Sequence, residues 1–138
     1  MKKRTGNTGF TLIEVVVAIS IVAILIILSV SLYINQVRNG RRADATTTIS
    51  EIALAEERYR MNNSQYGTLA QVWAGVATTP GGYYSLSLSG VNSTNYTITA
   101  QGIGDQAYDQ EDGSSCSSLS LVSSNGVITK TPSVCWPQ

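Results

Sequence analysis

The chain has 138 residues, 43% of them hydrophobic and 13% charged, with nine basic and nine acidic side chains and a formal net charge of zero. It contains no histidine and only two cysteines, and neither a phosphate-cradling loop nor a metal-ligand motif occurs in it. This inventory excludes imidazole catalysis and predicts a structural protein rather than an enzyme, with no metal and no cofactor.

Residues 1–9 are polar, carry Lys2, Lys3 and Arg4, and end at Gly9. From Phe10 to Ile34 the chain is almost unbroken Val, Ile, Leu and Ala. As a helix this stretch rises about 37 Å, enough to span a hydrocarbon core of ~30 Å. An ordinary secretory leader places its apolar stretch before the cleavage site. Here the candidate cut comes first, at a glycine whose permissive backbone suits an extended, protease-accessible peptide. The apolar segment therefore stays on the mature protein.

Glu14 is the one acid in that run. A charge inside a bilayer span costs about 2.5–3.5 kcal/mol on insertion scales. Either the acid is tolerated near one end of the span, or it meets a cation after processing or assembly. Its place five residues past Gly9 favours the second reading.

The hexapeptide Gly9-Phe10-Thr11-Leu12-Ile13-Glu14 resembles the cleavage and assembly motif of type IV pilins and their pseudopilin relatives. The resemblance implies that a prepilin peptidase and methyltransferase cuts after Gly9 and N-methylates Phe10. It implies that Glu14 serves assembly, pairing with the amine of its own Phe10 or of the next subunit's. It also implies other pilin subunits and an inner-membrane assembly platform as partners. The protein would lie in a bacterial inner membrane before assembly, with one pass and its C-terminus periplasmic, and in an extracellular pilus fibre afterwards. The chain departs from the family at Ser31, where many pilins carry Pro, and at Ala23, where many carry Gly. Ser29 and Ser31 offer only gentle bending through bonds to preceding carbonyls. Tyr33 matches an aromatic that the family often carries nearby.

Lys2, Lys3 and Arg4 on one side of the span face Arg38, Arg41 and Arg42 on the other, so basic residues do not orient it. Cys116 and Cys135 do. A lone pair in the C-terminal part suits a disulfide in an oxidising periplasm or exterior, the alternative being two unrelated buried thiols.

Beyond the span, Ile34, Val37, Arg41, Ala45, Ile49, Ile52 and Tyr59 recur at mostly three- and four-residue steps, which predicts an amphipathic helix over 35–61. Asn62-Asn63 suits its end. One helix over about 10–61 would be about 80 Å long, with its second half packed on a sheet.

Residues 64–82 read as loop with apolar anchors Leu69, Val72 and Trp73, the last a core or lid residue over the helix. Tyr84, Leu86 and Leu88, then Tyr96, Ile98 and Ala100, then Leu119 and Leu121, alternate with polar residues and predict strands with one buried face. Ser124-Asn125-Gly126 signals a hairpin before a last strand over 127–131. The stretch Asp105, Asp109, Glu111, Asp112, Gly113 offers several carboxylates that could ligate calcium, but its spacing does not fit an EF-hand and a solvated loop is expected.

A Cys116–Cys135 bridge would close a loop of about 20 residues and stabilise a small domain by roughly 3 kcal/mol. Asn95-Tyr96-Thr97-Ile98-Thr99-Ala100, the Gln and Asp cluster before Cys116, the alternating leucines and the Cys135-Trp136 ending resemble short PilE-like pilins. The expected fold is α+β. Residues 1–9 form a leader, 10–34 a transmembrane and polymerisation helix, 35–61 its amphipathic continuation, and 62–138 a small antiparallel β domain with a disulfide-bonded C-terminal region. The expected role is a structural subunit, major or minor, of a type IV pilus serving adhesion, twitching movement or DNA uptake. The alternatives are a type II secretion pseudopilin and a DNA-binding minor pilin. Beyond Arg60 the only basic residue is Lys130, against four acids, so direct nucleic-acid binding is not expected.

Overall fold

The computed structural model describes residues 9–137 and divides into two compact units, the first ending at Asn35 and the second beginning at Gln36. The leader expected over 1–9 lies, except for Gly9, outside the described residues. Helix α1, Leu12–Arg60, passes through both units.

In the first unit α1 is built from Val and Ile, whose branched side chains lose rotamer freedom in a helix and favour strands in water. A bilayer reverses that preference, because a helix satisfies every backbone group within its own segment. This part of α1 is long and apolar enough to cross a membrane. Its side chains turn outward: Phe10 is 82% exposed and Ile27 71%. Ser29 Oγ donates to the Leu25 carbonyl at 2.8 Å and Ser20 Oγ to that of Val16 at 2.8 Å, so helical serines bond back to the preceding turn. The corresponding expectation for Ser31 concerns a side chain outside the described set. The helix continues through positions 23 and 31 without interruption.

In the second unit α1 lays one stripe on a four-stranded antiparallel sheet. The strands are β1 (Tyr84–Ser89), β2 (Asn95–Gly102), β5 (Ser118–Ser124) and β6 (Val127–Thr131), in the spatial order β1-β2-β5-β6. Ala45, Ile49, Ile52 and Ala53 are buried from the helix; Tyr84, Leu86, Tyr96, Ile98, Ala100, Leu119 and Leu121 are buried from the sheet. Register aligns the inward residues in rows, Leu86 with Ala100 with Leu119, and Leu88 with Ile98 with Leu121. The β5–β6 turn places Asn125 and Gly126 at φ 51° and 81°, the pair of left-handed residues that a two-residue hairpin needs.

Other parts of the unit differ from expectation. The buried stripe includes Arg42 and Glu56, where Arg41 and Tyr59 were expected. Asn63 Nδ2 donates to the Tyr59 carbonyl at 2.8 Å, which satisfies one free acceptor at the helix end. The loop after α1 holds one turn of helix, α2 (Leu69–Val72), in which Gln71 Oε1 accepts the Thr68 N–H at 2.8 Å. Leu69, Val72 and Trp73 pack half-buried against the core, as anchors should. The acidic stretch is solvated only in part: Asp105 and Asp112 are exposed, but Asp109 is buried, and the stretch is ordered into a short 3-10 turn (Gly104–Tyr108) and a small hairpin of β3 (Gln110–Glu111) and β4 (Ser114–Ser115). The reason is electrostatic.

Candidate functional site

Three arginines on one face of α1 hold that stretch. Arg42 grips Asp109 at two points, Nε to Oδ2 at 2.7 Å and Nη2 to Oδ1 at 2.9 Å, and reaches Glu111 Oε2 with Nη1 at 2.9 Å. The same guanidinium donates to Asn39 Oδ1 at 2.7 Å. Arg38 pairs with Asp105 at 2.7 and 3.1 Å and donates to the Tyr108 carbonyl. Arg41 lies 3.8 Å from Asp105 and stacks 4.3 Å from the centre of the Tyr83 ring. Hydrogen bonding to Asp109 holds the Arg42 guanidinium above its ordinary range, and hydrogen bonding to Arg38 holds the Asp105 carboxyl below its own. Fully buried Gln106 donates to the Arg38 carbonyl at 3.0 Å and to the Tyr84 hydroxyl at 2.8 Å. Burial pushes the Tyr84 phenol up to about 12.

The cysteines finish the construction. Cys116 and Cys135 form a disulfide with Cα atoms 5.7 Å apart, and both are buried. The bridge ties the start of β5 to a terminal 3-10 turn (Ser133–Cys135), which brings Trp136 into the core. The Lys130 ammonium lies 5.0 Å from the centre of the Trp136 ring. Salt bridges and disulfide together hold residues 104–136, which contribute little regular structure besides β5 and β6.

Gly9, Phe10 and Glu14 lie in the first unit. Thr11 precedes the helix and accepts the Glu14 N–H through Oγ1 at 3.4 Å, while its carbonyl accepts the same N–H at 3.1 Å. Thr11-x-x-Glu14 thus supplies half of a capping box, and an acid three residues past the cap also complements the helix dipole. Among the described residues Glu14 has no ion-pair partner. A Cβ at Gly9 would meet nothing within 4 Å, so no contact among the described residues demands glycine there.

The arginine cluster was readable in part. Arg38, Arg41 and Arg42 sit at i, i+3 and i+4, one patch of a helix. Nothing in the sequence paired them with acids 67 residues away.

A model described as the type IV minor pilin ComP, DNA uptake sequence receptor, matches residues 31–120, more than half of the chain. The chain belongs to this type IV minor pilin family. A second model, the prokaryotic N-terminal methylation motif, matches residues 4–30. The type II secretion system core protein G of Vibrio cholerae serotype O1 (strain ATCC 39315 / El Tor Inaba N16961) is 36% identical over 83 residues, which cover 58% of this chain and 55% of that protein. The chain therefore spans little more than half the length of that relative. The minor pilin match runs from the apolar part of α1 into β5, so the arginine cluster and its acids fall inside it, whereas β6, Cys135 and Trp136 lie beyond. The chain is a pilin-type structural subunit.

Proposed function

We propose that this pilin is cut between Gly9 and Phe10, N-methylated on Phe10, and assembled with other pilin subunits into a type IV pilus. One observation carries the reading: the apolar side chains of Phe10 and of α1 as far as Ile34 are exposed, while the second unit closes a core of its own. So large an exposed apolar surface requires lipid or other apolar helices. The protein would wait in the inner membrane as a single span, with the disulfide-bearing domain in the periplasm, and pass into the fibre through an assembly platform. Glu14, without an ion-pair partner among the described residues, would then meet the amine of an incoming Phe10.

The test is the mature N-terminus. Mass spectrometry of the processed protein should show N-methylated Phe10, and Gly9→Val should block cleavage by placing bulk at the scissile bond. A mature terminus elsewhere, or efficient cleavage of the variant, would defeat the assignment.

Two readings share this fold. The secretion relative supports a pseudopilin, and genes for a secretin and exoprotein machinery beside this one would favour it. The minor pilin family's description names a DNA receptor. Against direct DNA binding, Arg38, Arg41 and Arg42 are occupied by acids, and Arg60 donates to the Ser93 and Asn63 carbonyls. Few cations are left to neutralise phosphates. Duplex DNA titrated at 50 and 200 mM salt should leave the fluorescence anisotropy of labelled protein unchanged.

A further inference from the structure

The two outer edges of the sheet differ. The edge of β1 is covered, because the Leu86 N–H donates to the Ala77 carbonyl at 2.8 Å, the Thr79 N–H donates to the Tyr84 carbonyl at 3.0 Å, and Thr78 bridges Ser85. The edge of β6 is bare among the described residues, and all five of its residues are exposed. Its free groups can be named. The turn at Asn125-Gly126 makes Ser124 and Val127 a hydrogen-bonded pair, and bonded pairs alternate along an antiparallel ladder. Val127, Thr129 and Thr131 therefore bond to β5, whereas the N–H and C=O groups of Ile128 and Lys130 face away from the sheet.

Natural edges are blunted by proline, bulges, charge or a covering segment. Apart from Lys130, Val127–Thr131 has none of these, and it is rich in β-branched residues. Beside it α1 is uncovered too. Leu54 and Ile128 are each 52% exposed and line a groove with Ala53, Glu57 and Lys130, which continues past Glu51. Strands lie ~4.8 Å apart, so the inward side chains of a further strand would fall over Leu54 and into this groove.

We propose that β6 is a docking edge for an extended segment of another polypeptide, added as a fifth strand. The free backbone groups select an extended chain, the groove selects alternating small apolar side chains, and exposed Glu51 selects a basic residue among them, with support from Glu57, whose Oε1 accepts the Tyr66 and Tyr96 hydroxyls. Lys130 opposes these acids, but its ammonium is drawn toward Trp136. A second copy of β6 is the competing occupant, and the concentration dependence in the test below separates it.

The test uses the full chain in detergent micelles and the peptide acetyl-Thr-Val-Thr-Lys-Thr-Val-Thr-amide. Amide exchange followed by NMR should slow at Ile128 and Lys130 when the peptide is added. Ile128→Pro removes one outward N–H without touching the ladder to β5, and it should weaken binding about tenfold or more. Glu51→Lys changes only an exposed helical residue; it should weaken this peptide and strengthen one carrying Glu in place of Lys. Equal binding by Ile128→Pro, protection centred away from β6, or no charge reversal with Glu51→Lys would overturn the proposal. Protection that rises with protein concentration and without peptide would overturn it in favour of self-association.

Discussion

Arg42 and Asp109, 67 residues apart, meet in a two-point ion pair at 2.7 and 2.9 Å with side chains only 8% and 2% exposed. Each is buried because the other is there. Removing one partner leaves an uncompensated buried charge, which costs about 3–5 kcal/mol, whereas replacing both by apolar residues of similar size is often neutral. Arg42→Ala should therefore lower the urea midpoint by the equivalent of about 3 kcal/mol or more. Arg42→Met combined with Asp109→Leu should recover most of that loss. Equal damage from the single and double variants would show that Glu111 and Asn39, not the pair, hold the helix to the 104–115 segment.

Glu56 is fully buried on α1; its Oε2 accepts the Gly67 N–H at 2.8 Å while Oε1 has no partner among the described residues. Burial raises its carboxyl above the ordinary 4.5, and the Gly67 bond only partly opposes this. A carboxyl raised in the folded state binds its proton more tightly there than in the unfolded chain. Its stabilising contribution is thus complete below about pH 4.5 and is lost as pH rises through the folded value. Glu56→Gln keeps an acceptor for Gly67 and carries no charge, so at neutral pH it should melt higher than the parent and flatten the pH dependence in this window. A variant that melts lower at pH 7, with the slope unchanged, would show that the acid is needed ionised.

The contrast between these buried charges and the strands explains what could be read in advance. Period-two runs such as Tyr96, Ile98 and Ala100 carry their burial in the chain itself, and β1, β2 and β5 lie where that alternation put them, while β6, exposed throughout, follows the hairpin signal at Asn125-Gly126. Glu56 follows Ile52 at helical spacing and Arg42 adjoins Arg41, but a charge on a helix ordinarily marks the wet face. Their burial depends on partners brought by tertiary structure, Gly67 for one and Asp109 for the other. The 105–113 stretch was hidden for the same reason, since acids and glycine read alike in a solvated loop and in a segment held by arginines. Glu14 was the opposite case. Its isolation among apolar residues was plain, while the Thr11 cap beside it was concealed by the assembly motif.

Gly40 stands inside α1 at an exposed position, and a Cβ there would meet nothing within 4 Å. Glycine in a helix interior costs about 0.8–1 kcal/mol relative to alanine. Gly40→Ala should therefore raise the stability of the single chain by roughly that amount in chemical denaturation. If the variant is more stable but enters fibres poorly, the missing side chain serves a neighbouring subunit. If stability does not rise, the helix is strained at this point in a way that contacts do not show.

Glu14 separates insertion from assembly. Glu14→Leu removes the one charged side chain from the apolar stretch, so the amount of protein reaching the membrane should hold or rise, since a charge there costs about 2.5–3.5 kcal/mol. Assembly should fail or slow, because the amine of an incoming Phe10 would enter an apolar fibre core without a counter-charge. Thr11 caps the helix through its own oxygen and remains in the variant, so a defect would not trace to helix fraying. Glu14→Gln preserves shape and some hydrogen bonding, and its defect should match that of Leu if charge is the cause. Membrane-fraction levels compared with sheared-fibre levels for each variant give the answer. Normal incorporation of Glu14→Leu would mark the acid as a tolerated passenger that only complements the helix dipole, and the pairing mechanism would have to be abandoned.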